Sequence, residues 1–295
     1  MSSSLQRVLV PGDSAARSVG ADDVAARLAD ALPTDTPVIR NGSRGLFWLE
    51  PLIEVERNGE RLGFGPVTVE DVDDIIEAGF PSSGHPLALG PVEKIPQLAD
   101  QQRLIFARCG LDDPLDLAAY QAGGGLAGLS RARALAPDVI VEAVKTSGLR
   151  GRGGAGFPAG IKWETAAKAT GDATYLCCNA DEGDSGTYAD RLLMEGDPFT
   201  LIEGMCIAAR AIGATRGLVY LRSEYPDAIR TLKAAIQIWR EAGLFQGLSD
   251  GDGFDIEVRT GAGAYICGEE SSMLNSLEGK RGEVRAKPPI PAISG

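Results

Sequence analysis

The sequence predicts an α/β protein with a small N-terminal module, a connector and a larger C-terminal domain. Residues 1–80 alternate short apolar runs with amphipathic helical spacing and contain a hairpin signal. Residues 81–136 form a helical connector that proline and glycine interrupt. From residue 137 to residue 295, strand-like runs alternate with longer amphipathic helices, which is typical of a parallel sheet.

The composition is that of an ordinary globular chain and argues against several function classes. Of the 295 residues, 44% are hydrophobic and 24% are charged. Because apolar runs of about 18 residues and the apolar region of a signal peptide are both missing, we expect a cytoplasmic protein without membrane insertion. The net charge of −12 argues against nucleic-acid binding. The odd number of cysteines, without ligand spacing, predicts reduced thiols and no metal site on this chain.

Five elements are predicted in the N-terminal module: the strand Arg7–Val10, the helix Asp22–Ala31, the strand Pro37–Arg40, a hairpin turning at Asn58-Gly59, and the helix Val69–Ala78 with Thr68 as its cap. This order resembles the thioredoxin-like module that binds a two-iron cluster in electron-transfer subunits. In that module cysteines lie in the loop after the second strand, but residues 41–51 contain none. Serine and aromatic side chains do not hold iron as thiolates do, so we expect a module that has lost its cluster and serves in scaffolding or docking.

The connector and the C-terminal domain follow in order. Helical patches are predicted at 97–108, 114–122 and 126–135, and the single histidine, His85, is expected to be a solvated loop residue. The elements of the larger domain are the helix Val139–Ser147 capped by Asp138, the helix Ile161–Ala169, the strand Tyr175–Asn179, a helix from Pro198 to Ile212, the strand Gly217–Leu221, the helix Pro226–Ala242, a strand through Phe254 and Val258, and a helix ending near Leu277. The continuous apolar run Tyr175–Asn179 predicts a strand buried on both faces, and Trp239 is predicted to lie in the core.

The glycine-rich loop Leu149–Trp163 is the first candidate ligand site. It combines bare backbone N–H groups with Arg150, Arg152 and Lys162, which suits an anionic ligand. A P-loop needs a hydroxyl where Trp163 stands, and a dinucleotide fingerprint follows a strand, whereas this loop follows a helix. On spacing alone, a loop packed closely against other backbone is the alternative to an anion site.

Two other loops carry clustered polar groups. Asn179–Asp184 is an acidic loop at the carboxyl end of a predicted strand, where open α/β sheets bind ligands. Gly261–Glu270 leads into the last helix and places Glu269 and Glu270 at its N-terminus, where the helix dipole favours carboxylates. An equally good interpretation is that Glu269 and Glu270 are ordinary surface charges that bind no ligand.

Three long motifs occur in order within residues 140–295: RGRGGAGFPAGIKW, CNADEGDSGTYADR and GAGAYICGEESSMLNSLEGKRGEVRAKPP. Together they resemble the flavin-binding 51 kDa subunit of the NADH:quinone oxidoreductase family. The resemblance implies a noncovalent FMN that exchanges a hydride with NADH or NAD⁺ and passes electrons singly to iron–sulfur clusters. The fold class expected for the chain is therefore a thioredoxin-like module followed by a Rossmann-like α/β flavin-binding domain.

The resemblance also implies roles for particular residues by their position in the motifs. Those implied to hold FMN are Gly151, Gly153, Lys162, Asn179, Asp181, Gly268 and Glu269, with further cofactor contacts from Arg152, Gly154 and Asp184. Phe157 is expected to stack on the adenine, and Tyr265 and Glu270 to line the nicotinamide side. Glu182 and Glu270 are the candidate catalytic residues, and Glu182 has the less definite role.

The chain departs from the family pattern at several positions. Thr165 stands where a second phenylalanine is common, Ala159 replaces a threonine, and Asp184-Ser185 replaces Glu-Pro, which shortens an acidic side chain facing the nucleotide. Family members continue with an asparagine pair for the flavin phosphate and a helical domain whose cysteines hold a 4Fe-4S cluster. Those cysteines are absent from this chain, so we expect a flavin domain, 137–295, that is truncated before the iron–sulfur domain.

Within the family, NGSRGLFWLEPLIEVE and FARCG-x-x-DPL-x-L resemble the β (diaphorase) subunit of NAD-dependent, molybdenum-containing formate dehydrogenase. This second resemblance implies two partners, a molybdenum-containing catalytic α subunit and a small γ subunit with a two-iron cluster. One alternative is the diaphorase subunit of an NAD-linked hydrogenase or respiratory complex. Another is a non-catalytic assembly subunit with a vestigial flavin site.

Overall fold

The structure is a computed structural model that describes residues 6–81, 84–171, 173–248 and 253–295. It is α/β, as predicted, and divides into two compact units. The first unit runs to Ala119 and adds Leu192–Asp197, and the second comprises Tyr120–Arg191 and Pro198–Gly295. Residues 1–5 of the predicted N-terminal module lie outside the described residues, and its boundaries at 80 and 136 stay predictions.

The first unit is built on a five-stranded sheet. Its elements in chain order are β1 (Arg7–Leu9), α1 (Ser14–Ser18), α2 (Ala21–Ala31), β2 (Val38–Ile39), β3 (Ile53–Arg57), β4 (Glu60–Phe64), α3 (Asp71–Glu77), β5 (Ala88–Pro91), α4 (Pro96–Ala99) and the start of α5 (Leu117–Ala122). The strand order is β2-β1-β3-β4-β5, with β1 parallel to β2 and every other neighbouring pair antiparallel. The predicted order of strand, helix, strand, hairpin and helix is confirmed.

The hairpin prediction is confirmed in its turn geometry, and the cap prediction is wrong. Asn58 and Gly59 have φ of 55° and 78°, the positive values that a two-residue turn between antiparallel strands requires. Thr68 does not cap the following helix. Its N–H and hydroxyl instead donate to the Asp71 carboxylate at 2.8 and 2.7 Å, because a carboxylate in the first turn accepts both bonds.

The loop 41–51 is closed by buried polar contacts within the first unit. The Arg44 guanidinium donates to both oxygens of the Glu54 carboxylate, each at 2.7 Å, and both side chains are buried. The Glu50 carboxylate accepts from the Ser43 hydroxyl at 2.6 Å and from the Leu52 N–H at 3.0 Å. Burial nevertheless raises the pKa of Glu50 to about 7. Paired polar side chains therefore occupy the loop in which the resemblance places cluster cysteines.

The segment Leu192–Asp197 completes the first unit. The buried Glu195 carboxylate accepts from the N–H of Ser14 at 2.8 Å and from its hydroxyl at 2.6 Å, at the start of α1. A side chain at Gly42 would lie 2.6 Å from the Cα atom of Gly196, so the two backbones touch at this point and position 42 has no room for a side chain. A side chain at Gly196 would lie 3.3 Å from the Cys109 sulfur.

The second unit is built on a three-stranded parallel sheet. It contains α6 (Ala127–Arg133), α7 (Pro137–Thr146), α8 (Ala159–Lys168), β6 (Tyr175–Ala180), the start of α9 (Ala189–Gly196), α10 (Pro198–Ile212), β7 (Arg216–Leu221), α11 (Pro226–Glu241), β8 (Asp255–Thr260) and α12 (Glu270–Leu277). The strand order is β6-β7-β8, and Ala180 pairs in register with Leu221, which pairs with Thr260. All three strands therefore end at one edge of the sheet.

Two predictions for the second unit are wrong and one is confirmed. β6 is an edge strand and not one buried on both faces: Tyr175 is 51% exposed, because the described sheet continues only on the β7 side. Asp138 lies in the first turn of α7, which begins at Pro137 with Ala136 in the cap position. Trp239 is fully buried, as predicted, with its ring centroid 6.0 Å from that of Phe199. In the described residues, the helices are too short or too polar to cross a membrane.

Candidate functional site

The carboxyl edge of the β6-β7-β8 sheet brings together the loops that the sequence predicted to bind ligands. β6 ends at Ala180 and leads into the acidic loop, and β8 ends at Thr260 and leads into Gly261–Glu269. β7, between them, ends at Leu221 and is followed by Arg222. The register of parallel strands thus places polar groups from three separate parts of the sequence along one edge.

Asn179 joins the acidic loop to the segment that precedes α12. Its side-chain N–H donates to the Gly268 carbonyl at 2.7 Å, and its side-chain oxygen accepts from the Asp181 N–H at 3.2 Å. Asp181 is buried, and this burial raises the pKa of its carboxyl group, although the positive charge of Arg222 opposes the effect. The structure therefore brings Asn179, Asp181 and Gly268 together, as the resemblance implies.

Glu182 points back at the protein's own backbone. Its carboxylate accepts from the N–H groups of Asp190 at 2.9 Å and Arg191 at 3.3 Å, at the start of α9, and from the Tyr225 hydroxyl at 3.0 Å. The Arg222 guanidinium donates to the Glu182 carbonyl. Burial, with the nearby charge of Glu182, raises the pKa of Asp190 to about 6. The catalytic role suggested for Glu182 stays a prediction, and its contacts are those of a residue that holds a loop.

Tyr265 and Asp184 connect the other ends of the two loops. The Tyr265 hydroxyl donates to the Asp184 carboxylate at 2.8 Å, and this hydrogen bond raises the pKa of Tyr265. The Tyr265 ring lies on Gly183, where a side chain would come within 2.7 Å of the ring. Tyr265 itself is 70% exposed, so its outer face is open to a ligand.

The two carboxylates at the start of α12 have separate partners. Glu269 caps the helix and accepts from the N–H groups of Ser271 at 2.8 Å and Ser272 at 3.0 Å. Lys287 donates to Glu269 at 2.8 Å and to Glu270 at 2.9 Å. Burial alone would raise the pKa of Glu269, but the hydrogen bonds from Lys287, Ser271 and Ser272 outweigh it and lower that pKa to about 2.

Lys162 lies at the start of α8, directly after the glycine loop, and its ammonium group donates to Glu270 of this carboxylate pair at 2.8 Å. The predicted loop Leu149–Trp163 is therefore shorter in the structure, because α8 begins at Ala159. Burial would raise the pKa of Glu270, but hydrogen bonds from Lys162 and Lys287 lower it. Glu270 therefore stays ionised between two lysines. The sequence prediction did not include Lys287. It lies within the third motif, but a position 17 residues beyond Glu270 in a proline-rich segment gave no local signal.

The glycine loop forms a closed turn between α7 and α8. The Gly151 N–H donates to the Phe157 carbonyl, and the Ala159 N–H donates to the Leu149 carbonyl, both at 2.9 Å. Arg152 donates to the Arg150 carbonyl at 2.5 Å, and its side chain is exposed. Phe157 is 48% exposed, as an aromatic ring that stacks on a ligand requires. A side chain at Gly160, by contrast, would lie 2.6 Å from the backbone nitrogen of Lys145, so glycine at this position allows α7 and α8 to pack closely.

Gly153, Gly154 and Gly156 are not packed against protein. A side chain built on any of them would meet no heavy atom of the described residues within 4 Å. The φ values of Gly154 and Gly156, 104° and 59°, explain glycine at those positions. At Gly153 neither a positive φ nor packing against the described residues requires glycine, and the open backbone leaves room for a ligand. These observations disfavour the close-packing alternative, and together with the cationic Lys162 the loop fits an anionic flavin.

The described residues contain no group of three or more His, Cys, Asp or Glu side chains arranged to hold a metal ion. The five cysteines are all free thiols. Burial raises the pKa of Cys178 to about 12, so this thiol stays protonated at neutral pH.

The chain is similar to several known proteins. The chain is 51% identical over 197 residues to the NADP-reducing hydrogenase subunit HndC of Solidesulfovibrio fructosivorans, a match that covers 66% of this chain and 40% of that protein. It is 55% identical over 182 residues to an NADH-quinone oxidoreductase subunit of Rhizobium meliloti (strain 1021), covering 61% of this chain and 43% of that one. It is 51% identical over 186 residues to an NADH-quinone oxidoreductase subunit of Escherichia coli (strain K12), a match that covers 62% of this chain and 42% of that protein. The matches thus span less than half the length of these relatives.

A solved structure matches the whole chain. The crystal structure of an NAD⁺-reducing NiFe-hydrogenase in the H2-reduced state aligns with 100% of this chain and 50% of that one, with a TM-score of 0.55 and 29% sequence identity. Residues 144–294, just over half of the chain, match the family described as the Nuo51 FMN-binding domain. The glycine loop, the acidic loop and the segment 261–270 all lie within those residues. The chain therefore belongs to the family of 51 kDa flavin subunits, and residues 144–294 are its FMN-binding domain.

Proposed function

We propose that this chain is the flavin subunit of an NAD(H) oxidoreductase, which exchanges a hydride between FMN and NAD⁺ or NADH and relays electrons to or from iron–sulfur clusters. Gly153 carries the proposal, because it is an exposed glycine at which the fold leaves the backbone open. Its loop leads into α8, where Lys162 donates to Glu270 at 2.8 Å. When bound, FMN supplies the exchange between two-electron and one-electron chemistry.

The protein's contribution is to bind and orient the two ligands. The backbone N–H group of Gly153 and the ammonium of Lys162 suit a phosphate or an anionic ring, whereas the N–H group of Gly151 donates to the Phe157 carbonyl within the loop. Asn179 and Asp181 present an amide and a carboxylate at the sheet edge, where flavin hydroxyl groups would find donors and acceptors.

The nucleotide is proposed to lie on the exposed side of the same loops. Phe157 presents a half-exposed ring to the adenine, and Tyr265 and Glu270 flank the nicotinamide side. Glu270 is ionised between Lys162 and Lys287, so it is suited to accept hydrogen bonds and not to donate a proton. We therefore assign Glu270 to orienting the nucleotide.

Reconstitution tests this proposal directly. The purified chain is mixed with FMN, desalted and scanned in the flavin absorption bands, and NADH oxidation is then followed with ferricyanide as acceptor. The proposal requires yellow protein whose bound flavin is bleached by NADH. A colourless protein that does not take up FMN supports the alternative of a non-catalytic assembly subunit.

The complex in which the chain works is a second part of the proposal. We favour an NAD(P)-linked hydrogenase or a respiratory complex, because the relatives named above are a hydrogenase subunit and subunits of NADH-quinone oxidoreductase. Formate dehydrogenase, with a molybdenum-containing α subunit and a two-iron γ subunit, is the second candidate, on the motifs within residues 41–56 and 106–117. Purifying the native complex and measuring nickel, molybdenum, and NAD⁺ reduction by hydrogen and by formate separates these assemblies.

A further inference from the structure

Two side chains from the segment between β7 and α11 hold the acidic loop that follows β6. Arg222 donates to the Glu182 carbonyl and, at 3.1 Å, to the Glu224 carboxylate. The Tyr225 hydroxyl donates to the Glu182 carboxylate at 3.0 Å. The Arg222 guanidinium lies 4.9 Å from the centroid of the Tyr225 ring, so the two side chains also support each other.

The contacts of Glu182 leave it little capacity for a ligand. One carboxylate oxygen accepts from the Asp190 N–H, and the other accepts from the Arg191 N–H and the Tyr225 hydroxyl. Both oxygens are therefore used in joining the loop to α9 and to the segment after β7. Burial, with the adjacent Glu182 charge, raises the pKa of Tyr225 to about 12, so its hydroxyl remains a donor throughout the physiological range.

Building on the proposed function, we propose that Arg222 and Tyr225 are positioning residues, which act through Glu182 to fix the loop 181–184 against the ligands. We call Glu182, Arg222 and Tyr225 together the Glu182 clamp. The clamp holds the middle of a loop whose two ends carry Asp181, at the proposed flavin site, and Asp184, bonded to Tyr265 at 2.8 Å. Fixing Glu182 therefore fixes one carboxylate on the flavin side and one on the nucleotide side.

The positioning role and general acid–base catalysis by Glu182 predict different kinetic effects when the residue is substituted. Removing a general base lowers turnover by about 100- to 10,000-fold while binding is kept. Loosening a loop that orients ligands weakens binding of both FMN and NADH, while each correctly bound pair reacts at the normal rate.

The first experiment compares Tyr225→Phe with Tyr188→Phe in the full chain. Both substitutions remove one hydroxyl, but in the described residues the Tyr188 hydroxyl has no hydrogen bond, and its ring lies on Arg191 at 4.1 Å. In Tyr225→Phe we expect the Kd for FMN and the KM for NADH to rise by about 3- to 10-fold, a part of the full effect of one hydrogen bond to a charged group. Turnover per bound flavin should stay within about twofold of the parent value. Tyr188→Phe should match the parent in all three, and identical values for both variants overturn the proposal.

A double-mutant cycle then tests whether Tyr225 acts through Glu182. Because Glu182→Ala already removes the acceptor of the Tyr225 hydroxyl, Glu182→Ala combined with Tyr225→Phe should weaken FMN binding little more than Glu182→Ala alone. Additive effects contradict the clamp, as does a collapse of turnover per flavin in Glu182→Ala with unchanged KM. Arg222→Lys, which keeps the charge, should restore part of the FMN affinity that Arg222→Met loses. If both Arg222 variants lose FMN affinity equally, the positive charge of Arg222 is not what holds the loop.

Hydrogen exchange without flavin separates failure of the clamp from failure of the proposed function. The amides of Asp190 and Arg191 donate to Glu182, so they should exchange faster in Tyr225→Phe and not in Tyr188→Phe. Unchanged exchange overturns the clamp even where FMN binds normally. A parent chain that binds no FMN, with exchange responding as expected, overturns the proposed function and with it the ligand-positioning role.

Discussion

At Gly153 a side chain would meet no heavy atom of the described residues within 4 Å, and the backbone does not have the positive φ that favours glycine. Replacing it should therefore leave the protein folded and act only on a ligand. We expect Gly153→Val to lower the affinity for FMN by more than about tenfold, because the new methyl groups enter the space the ligand needs. Fluorescence titration of FMN measures this. Gly171→Val is the matched control, since Gly171 is also open and outside the loop, and equal FMN binding by the two variants contradicts the site.

Glu270 is the residue whose substitution should separate nucleotide binding from flavin binding. Glu270→Gln removes the charge that pairs with Lys162 and Lys287, but keeps the size of the side chain. We expect the KM for NADH to rise by about tenfold or more, as for the loss of one charged hydrogen bond, while FMN content is retained. Steady-state kinetics and flavin absorbance give the two numbers. Glu257→Gln, in an exposed ion pair with Arg259, is the control, and loss of flavin with normal turnover per remaining flavin would contradict the assignment.

At the scale of elements, the loop 41–51 should make the first unit sensitive to pH. Glu50 has a pKa of about 7 in the folded protein against an ordinary 4.5. Below pH 4.5 the carboxyl is protonated in both folded and unfolded states. As the pH rises from about 4.5 to about 7, the unfolded state loses its proton first, so the folded state becomes less stable, by up to roughly 3 kcal/mol.

Glu50→Gln should remove this dependence. Its free energy of unfolding, from urea denaturation at pH 5 and pH 8, is expected to change less between the two pH values than that of the parent. Glu60→Gln, at an exposed strand position, should behave as the parent. The opposite result is that the parent gains free energy of unfolding from pH 5 to pH 8 while Glu50→Gln does not. That result would show that the folded protein stabilises the ionised Glu50 carboxylate, against the effect of its burial.

The sequence predicted those elements whose signal is local, and it missed those that depend on distant partners. The Asn58-Gly59 turn and the helix through Trp239 were predicted correctly because turn chemistry and helical periodicity are local properties. β5 and α9 were not predicted: β5 is a four-residue strand that forms only by pairing with β4. The apolar run of β6 did not reveal that this strand lies at an edge, since neighbours decide burial.

The same distinction applies to the candidate site. The loops themselves were visible in the sequence as glycine-rich and acidic runs, and the structure gathers them at one sheet edge. Lys287 and the Glu182 clamp were not visible, because each depends on a contact between residues far apart in the chain: 17 residues for Lys287 and Glu270, and 43 for Tyr225 and Glu182. The contact between Tyr225 and Glu182 follows from the register of the neighbouring parallel strands β6 and β7, which no local pattern encodes. The contact between Lys287 and Glu270 depends on how the chain returns to the start of α12, which no local pattern encodes either.

At the scale of the whole molecule, a bound flavin should stabilise the chain by mass action. FMN at 100 times its Kd adds about 2.7 kcal/mol to the free energy of unfolding. In a Trp48→Phe background the remaining tryptophans, Trp163 and Trp239, lie in the second unit, so their fluorescence reports that unit. We expect FMN to raise the unfolding temperature seen by this fluorescence, and Gly153→Val should abolish the rise. A shift that persists in Gly153→Val would place the flavin elsewhere.

The contact between Gly42 and Gly196 also limits where the chain can be cut into fragments that still fold, because it joins two distant parts of the sequence within the first unit. The first unit is discontinuous: its sheet comes from the N-terminal part, but Glu195, which binds both the N–H and the hydroxyl of Ser14, comes from a segment more than 70 residues beyond Ala119. An N-terminal fragment cut at residue 119 would therefore expose the groups that this segment covers. A fragment in which a linker fuses 192–197 to the N-terminal part would instead keep the unit whole. A protease nick between the two segments should leave both pieces held together.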